Sequence, residues 1–91
     1  MLATVTIRQE ALPVVRSSIA LKRLALEFNL RSYRARLTEF ENRHRVASEQ
    51  FAARFNAGEL GDDTEWFEWE FVRDAYQEAE RQLELLNSVE P

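Results

Sequence analysis

Three features of the 91-residue chain predict a mainly α fold: a long antiparallel helical hairpin with a short middle helix and an N-terminal β-strand or arm. An apolar seam at coiled-coil-like spacing runs through each half of the chain. A turn carrying both glycines separates the halves, and a short alternating stretch precedes them. The expected layout is a single domain over 1–91. It comprises a strand or arm at 1–12, a first helix at 17–45, a short helix at 48–57 and a third helix at 64–87.

Leu2 to Arg8 alternates, with Ala3, Val5 and Ile7 on one face and Thr4, Thr6 and Arg8 on the other. That period of two predicts a half-buried strand, which must pair with a second copy of the chain or another sheet edge. Pro13 disfavours helix at Leu12 and can open one afterwards, with Ser17 or Ser18 as a cap. From there no glycine or proline interrupts the chain up to Arg43.

Leu26, Leu30, Tyr33, Leu37, Phe40 and His44 recur at intervals of 4-3-4-3-4, with Ile19 one heptad earlier. At 100° per residue, Leu21, Leu24 and Phe28 fall opposite that seam. The first half of this helix is therefore apolar on two sides. Either a partner or a folded-back segment bearing Leu12, Val14 and Val15 is expected to cover the second stripe.

The pattern breaks between Asn42 and Ala47, and Ser48 is a candidate cap for a short helix with Phe51, Ala52 and Phe55 on its apolar side. Gly58 can end that helix in the left-handed conformation, and Gly61 permits a second reversal. Asp62, Asp63 or Thr64 can cap the last helix, with Glu65 and Glu68 in its first turn, where the helix dipole favours negative charge. Trp69, Val72, Tyr76, Ala79, Leu83 and Leu86 form the second seam, at intervals of 3-4-3-4-3. Phe67 and Phe71 fall nearly opposite it and are expected to pack with Phe51 and Phe55. Trp66, about 60° off the seam, is the aromatic expected to stay partly exposed as an interface anchor.

Inventory excludes much chemistry. The chain has no cysteine and one histidine, so disulfide frameworks, thiolate metal sites and serine–histidine catalysis lack their parts. Glu65-x-x-Glu68 is a minimal carboxylate pair without the facing Glu-x-x-His that helical metal sites use. No cofactor, metal or enzymatic activity is expected, and His44 reads as a seam-end residue. The apolar runs are too short to span a bilayer and no secretory leader is recognised, which predicts a cytoplasmic protein. Residues 1–50 hold nine Lys/Arg against five Asp/Glu, whereas 51–91 hold three against eleven. Such polarity favours association with charged partners.

Phe40-Glu41, Ser48-Glu49-x-Phe51, Arg54-Phe55, Gly58-Glu59-Leu60-Gly61-Asp62-Asp63 and Trp66-Phe67-Glu68-Trp69 resemble small prokaryotic antitoxin-like proteins paired with TumE-type toxins, the TumA-like antitoxins. The resemblance covers roughly the last two-thirds of the chain, and its specific part is the GELGDD-x-x-WFEW run. Relatives carry a Tyr-Gly step where this chain has His44-Arg45, so the left-handed turn there is expected to differ. The resemblance implies a non-enzymatic antitoxin of a type II-like pair that neutralises a cognate small toxin by direct binding, with repression of its own operon possible.

The partner-binding candidates are Asp62, Asp63, Glu65, Trp66 and Glu70 at the acidic corner, and Leu21, Leu24 and Phe28 on the second stripe. The alternatives are a DNA-binding regulator reaching operator DNA with Thr4, Thr6 and Arg8 of paired strands, and a homo-oligomeric structural helical protein.

Overall fold

In the computed structural model, which describes residues 1–89, three α-helices follow an extended N-terminal arm and a single 3-10 turn at Gln9–Ala11. They are α1 (Leu12–His44), α2 (Ser48–Asn56) and α3 (Thr64–Asn87). α1 and α3 pack along one another as the hairpin, and α2 closes one end. The result is a thin rod of 55 × 26 × 18 Å.

Both seams meet as their spacing requires. Leu26, Leu37 and Phe40 of α1 and Trp69 and Ala79 of α3 are buried, and the intervening seam residues are half-buried. Leu37, Phe40, Phe51 and Trp69 form the core cluster, with Val46, Leu60, Val72 and Tyr76 packed around it. The Trp69 indole stacks on Phe51 at 4.0 Å and on Phe40 at 5.4 Å, with the ring planes nearly parallel in both pairs. Trp69, Phe40 and Phe51 are the largest fully buried side chains, and their stacking adds to the apolar area they bury.

α1 begins at Leu12, five residues before the expected start. Pro13 lies in the first turn, where its missing N–H has no intrahelical acceptor to lose and its fixed φ suits a helix. The expected N-terminal strand does not form. Residues 1–8 carry no strand and are exposed throughout, because period-two alternation needs a ladder partner that this single chain lacks. Nor does the segment bearing Leu12, Val14 and Val15 fold back, since it is the first turn of α1 itself.

α1 ends on Arg45, whose φ of 55° and ψ of 43° place it in the left-handed region. The left-handed turn therefore forms at Arg45 without a glycine. α2 ends in a Schellman motif: Glu59 N–H donates to Arg54 C=O at 3.0 Å and Gly58 N–H to Phe55 C=O at 3.1 Å, with Gly58 at φ 72°. Gly61, read as permitting a second reversal, does not have a positive φ. Asp63 is the cap of α3, its carboxylate accepting from Glu65 N–H at 2.9 Å.

Ser48, the expected cap of α2, is instead its first helical residue, behind an extended Ala47. Its N–H and its hydroxyl both donate to Glu41 Oε2, at 3.0 and 2.8 Å. The capping carboxylate is thus supplied from α1, where it also faces the positive end of α2.

Candidate functional site

The acidic corner is built from the α1 C-terminus, the 57–63 turn and the first turn of α3. Asp62 and Asp63 keep exposed side chains, although Asp63 is occupied as the cap. Glu65 is drawn inward. Arg43 pairs with its Oε1, and His44 Nε2 lies 3.1 Å from the same oxygen. His44 Nε2 is shielded from solvent, and the Glu65 oxygen beside it lies out of line for a well-aligned hydrogen bond. These neighbours, His44 foremost, hold the Glu65 carboxyl below its ordinary range against the opposing effect of burial.

Trp66 is half-buried, 4.8 Å from the His44 ring and 5.9 Å from Phe51. It keeps an exposed portion, yet most of its contact surface faces the aromatic core. Glu70 points away from the corner and is half-buried with Arg73 4.0 Å distant. Burial and the neighbouring Asp74 raise its carboxyl above the usual range. The five corner candidates therefore do not form one displayed acidic patch. Glu65 and Trp66 join α1 to α3, and only Asp62, Asp63 and the edge of Trp66 face outward.

Beside them, a cleft of about 310 Å³ is lined by His44, Arg45, Gln50, Arg54 and Trp66. Neither Arg45 nor Arg54 pairs with a carboxylate among the described residues, so the inner wall of this corner is basic.

The second set of candidates stands differently. Leu21, Leu24 and Phe28 are each more than 60% exposed, on the side of α1 that α3 does not touch. α3 stops short of the start of α1. Asn87 Oδ1 accepts from Arg23 Nε at 3.1 Å, and Val89 shares a groove with Lys22. Leu12–Leu21, about 15 Å of helix at 1.5 Å per residue, therefore extends past the end of α3, and no residue in it is buried. Val14, Leu21, Leu24 and Phe28 thus leave this end of α1 with large apolar side chains in solvent. Thr4, Thr6 and Arg8 lie on the exposed arm ahead of it.

The expected clamp of Phe67 and Phe71 on α2 forms only in part. Phe67 does meet Phe55 edge-on at 5.4 Å, but it stays 54% exposed and Phe71 70% exposed. The helical period places Phe71 beyond the reach of so short an element as α2. The same flank carries Leu85, four turns further along α3, which the seam periodicity does not single out.

Among the described residues no three His, Asp or Glu side chains converge as metal ligands, and no helix is long and apolar enough to cross a membrane. The fold and surface define a small helical hairpin with incompletely covered apolar faces. No protein-family model, curated protein or solved structure matches the chain.

Proposed function

We propose that the protein is an antitoxin of a type II-like pair, which neutralises a small cognate toxin by direct binding and performs no chemistry of its own. The bare Leu21/Leu24/Phe28 stripe beside the uncovered first three turns of α1 carries this reading. It offers apolar side chains on a rigid helix, the helix-in-groove form of recognition. The corner motif run supplies the likeness to antitoxin-like proteins, while the outward Asp62 and Asp63 and the Trp66 edge form a smaller second contact for basic groups on the toxin.

Co-expression with the product of a neighbouring small gene tests the proposal. Wild type should rescue growth and co-purify with the toxin. The L21E/L24E/F28E variant, altered only at exposed positions, should stay helical and lose rescue. A D62A/D63A/W66A variant should weaken rescue less. Full rescue by L21E/L24E/F28E would remove α1 as the contact, and failure of wild type to bind or rescue would remove the antitoxin reading.

A DNA-regulatory reading rests on the exposed Thr4, Thr6 and Arg8. The ribbon–helix–helix arrangement that would present them to a groove needs two short helices, whereas α1 is unbroken from Leu12 to His44. Salt-dependent binding to the upstream DNA would support it; no binding at low salt would end it.

A further inference from the structure

One flank of the hairpin is apolar along most of its length and differs from the α1 stripe assigned above to the toxin. Two grooves open on it. One, of about 380 Å³, runs between Arg36 of α1 and Phe67, Glu68, Phe71 and Val72 of α3. The other, of about 300 Å³, runs between Lys22 and Leu26 of α1 and Gln82, Leu85, Leu86 and Val89.

Their linings repeat at a spacing of 14 residues. Lys22 and Arg36 are so related on α1, and Glu68 and Gln82, Phe71 and Leu85, and Val72 and Leu86 on α3. Fourteen residues are nearly four whole turns, so the two grooves share one flank, about 21 Å apart. Phe71, Phe67, Leu85 and Val89 stand along it at 70, 54, 54 and 45% exposure. The opposite flank is lined by Leu30, Tyr76 and Leu83 as well, but these are half-buried and stand among Arg31, Arg34, Thr38, Glu80 and Glu84. Of the two flanks, only the first carries large apolar side chains that are themselves exposed.

We propose that this flank is the face of a two-fold homodimer in which two hairpins stack into a four-helix bundle, with the dyad parallel to the long axis and each α1 lying over α3 of the second copy. Charge selects that arrangement. α1 carries seven Lys/Arg against three Glu, and α3 carries two Arg against seven Asp/Glu. A dyad along the rod places basic α1 over acidic α3 in antiparallel sense at both contacts, bringing Lys22 and Arg36 near the other copy's Gln82 and Glu68. The perpendicular dyad would lay α1 on α1 and α3 on α3, setting like charges together.

Coverage demands the same solution. Only seven apolar residues are buried among those described, and a single two-helix layer leaves each helix half-wrapped. A second layer completes the up-down-up-down bundle.

Sedimentation equilibrium at micromolar concentration should return twice the 10.7 kDa chain mass. F71E/L85E, changed only at exposed positions, should return the single-chain mass with helical circular dichroism retained, and F71A/L85A should raise the dissociation constant at least tenfold. L21E/L24E/F28E should remain dimeric, which separates this face from the toxin-binding one. The chain has no cysteine, so single-cysteine variants report geometry directly. Mixed K22C and Q82C chains should join by disulfide on oxidation. A K22C–R36C link in place of it would overturn the α1-over-α3 arrangement. A single-chain mass for wild type, or a dimer that survives F71E/L85E, would overturn the interface.

Discussion

Trp69 Nε1 donates a 3.0 Å hydrogen bond to the buried Ser48 Oγ, and that hydroxyl in turn donates to Glu41 at 2.8 Å. One short relay therefore ties α3 to α2 and α2 to α1, at the centre of the aromatic core. Each polar atom in it is satisfied, which is the condition for a buried network to specify a single packing.

Removing the middle of that relay should be the most damaging small substitution in the chain. Ser48→Ala leaves the buried indole N–H without an acceptor and takes one donor from Glu41. The expected loss is about 1–3 kcal/mol, the penalty for an orphaned buried polar group. Urea denaturation measures it, and a double-mutant cycle of S48A with W69F should show coupling near the size of the single loss. An S48A loss below about 0.3 kcal/mol would show the relay to be incidental.

The three special turn positions should respond in different ways. Gly58→Ala forces a Cβ into the left-handed region and should destabilise by about 1 kcal/mol. Gly61→Ala meets open space and no positive φ, so it should be neutral or slightly stabilising. Arg45→Gly relieves a left-handed non-glycine residue and should not destabilise. Thermal melts of the three variants, compared at one pH, would show the order G58A below wild type and the other two at or above it.

Acid should loosen the molecule through two carboxylates. Glu65 is held below its ordinary range by His44 and Arg43. Glu78 is lowered to about 2 by hydrogen bonds from Arg81 and Gln82. A depressed folded-state pKa contributes stability that is fully present above the unfolded value and lost as pH falls through the folded one. The decline should therefore fall between about pH 4.5 and pH 2, and E65Q and E78Q should each flatten part of it. Glu70 has the opposite sign, because its raised pKa makes ionisation unfavourable to the fold. E70Q should raise the melting temperature at pH 7 and leave it unchanged at pH 3.

Deleting residues 1–8 should leave folding stability within about 0.5 kcal/mol of the full chain, since exposed residues without ladder or core contacts contribute little. Equilibrium unfolding of the shortened chain checks this. A larger loss would mean that the arm packs against α1 in solution.

The hairpin and its two seams are legible in the sequence because helical spacing is a local property: residues three and four apart must share a face whatever the rest of the chain does. The last helix falls at 64–87 for the same reason, with an aspartate cap at one end. The strand does not follow, because alternation describes two faces without supplying the neighbour whose N–H and C=O groups would complete it. Pro13 looks like a barrier to helix, yet α1 starts ahead of it, because a first-turn proline has no hydrogen bond to break.

Spacing along the chain does not say which face meets which neighbour. Glu65 has the sequence context of a displayed acid, but the chain reversal carries it under Arg43 and His44. Ser48 has the context of a cap, but the approach of α3 turns its hydroxyl into the acceptor for Trp69. Phe71 and Leu85 share a side of α3 by periodicity, and they lie bare because α2 is too short and α1 too narrow to cover them. Local geometry assigns a side chain its direction; the length and path of the opposing elements settle what it touches, and hence whether it supports the core or remains free to bind.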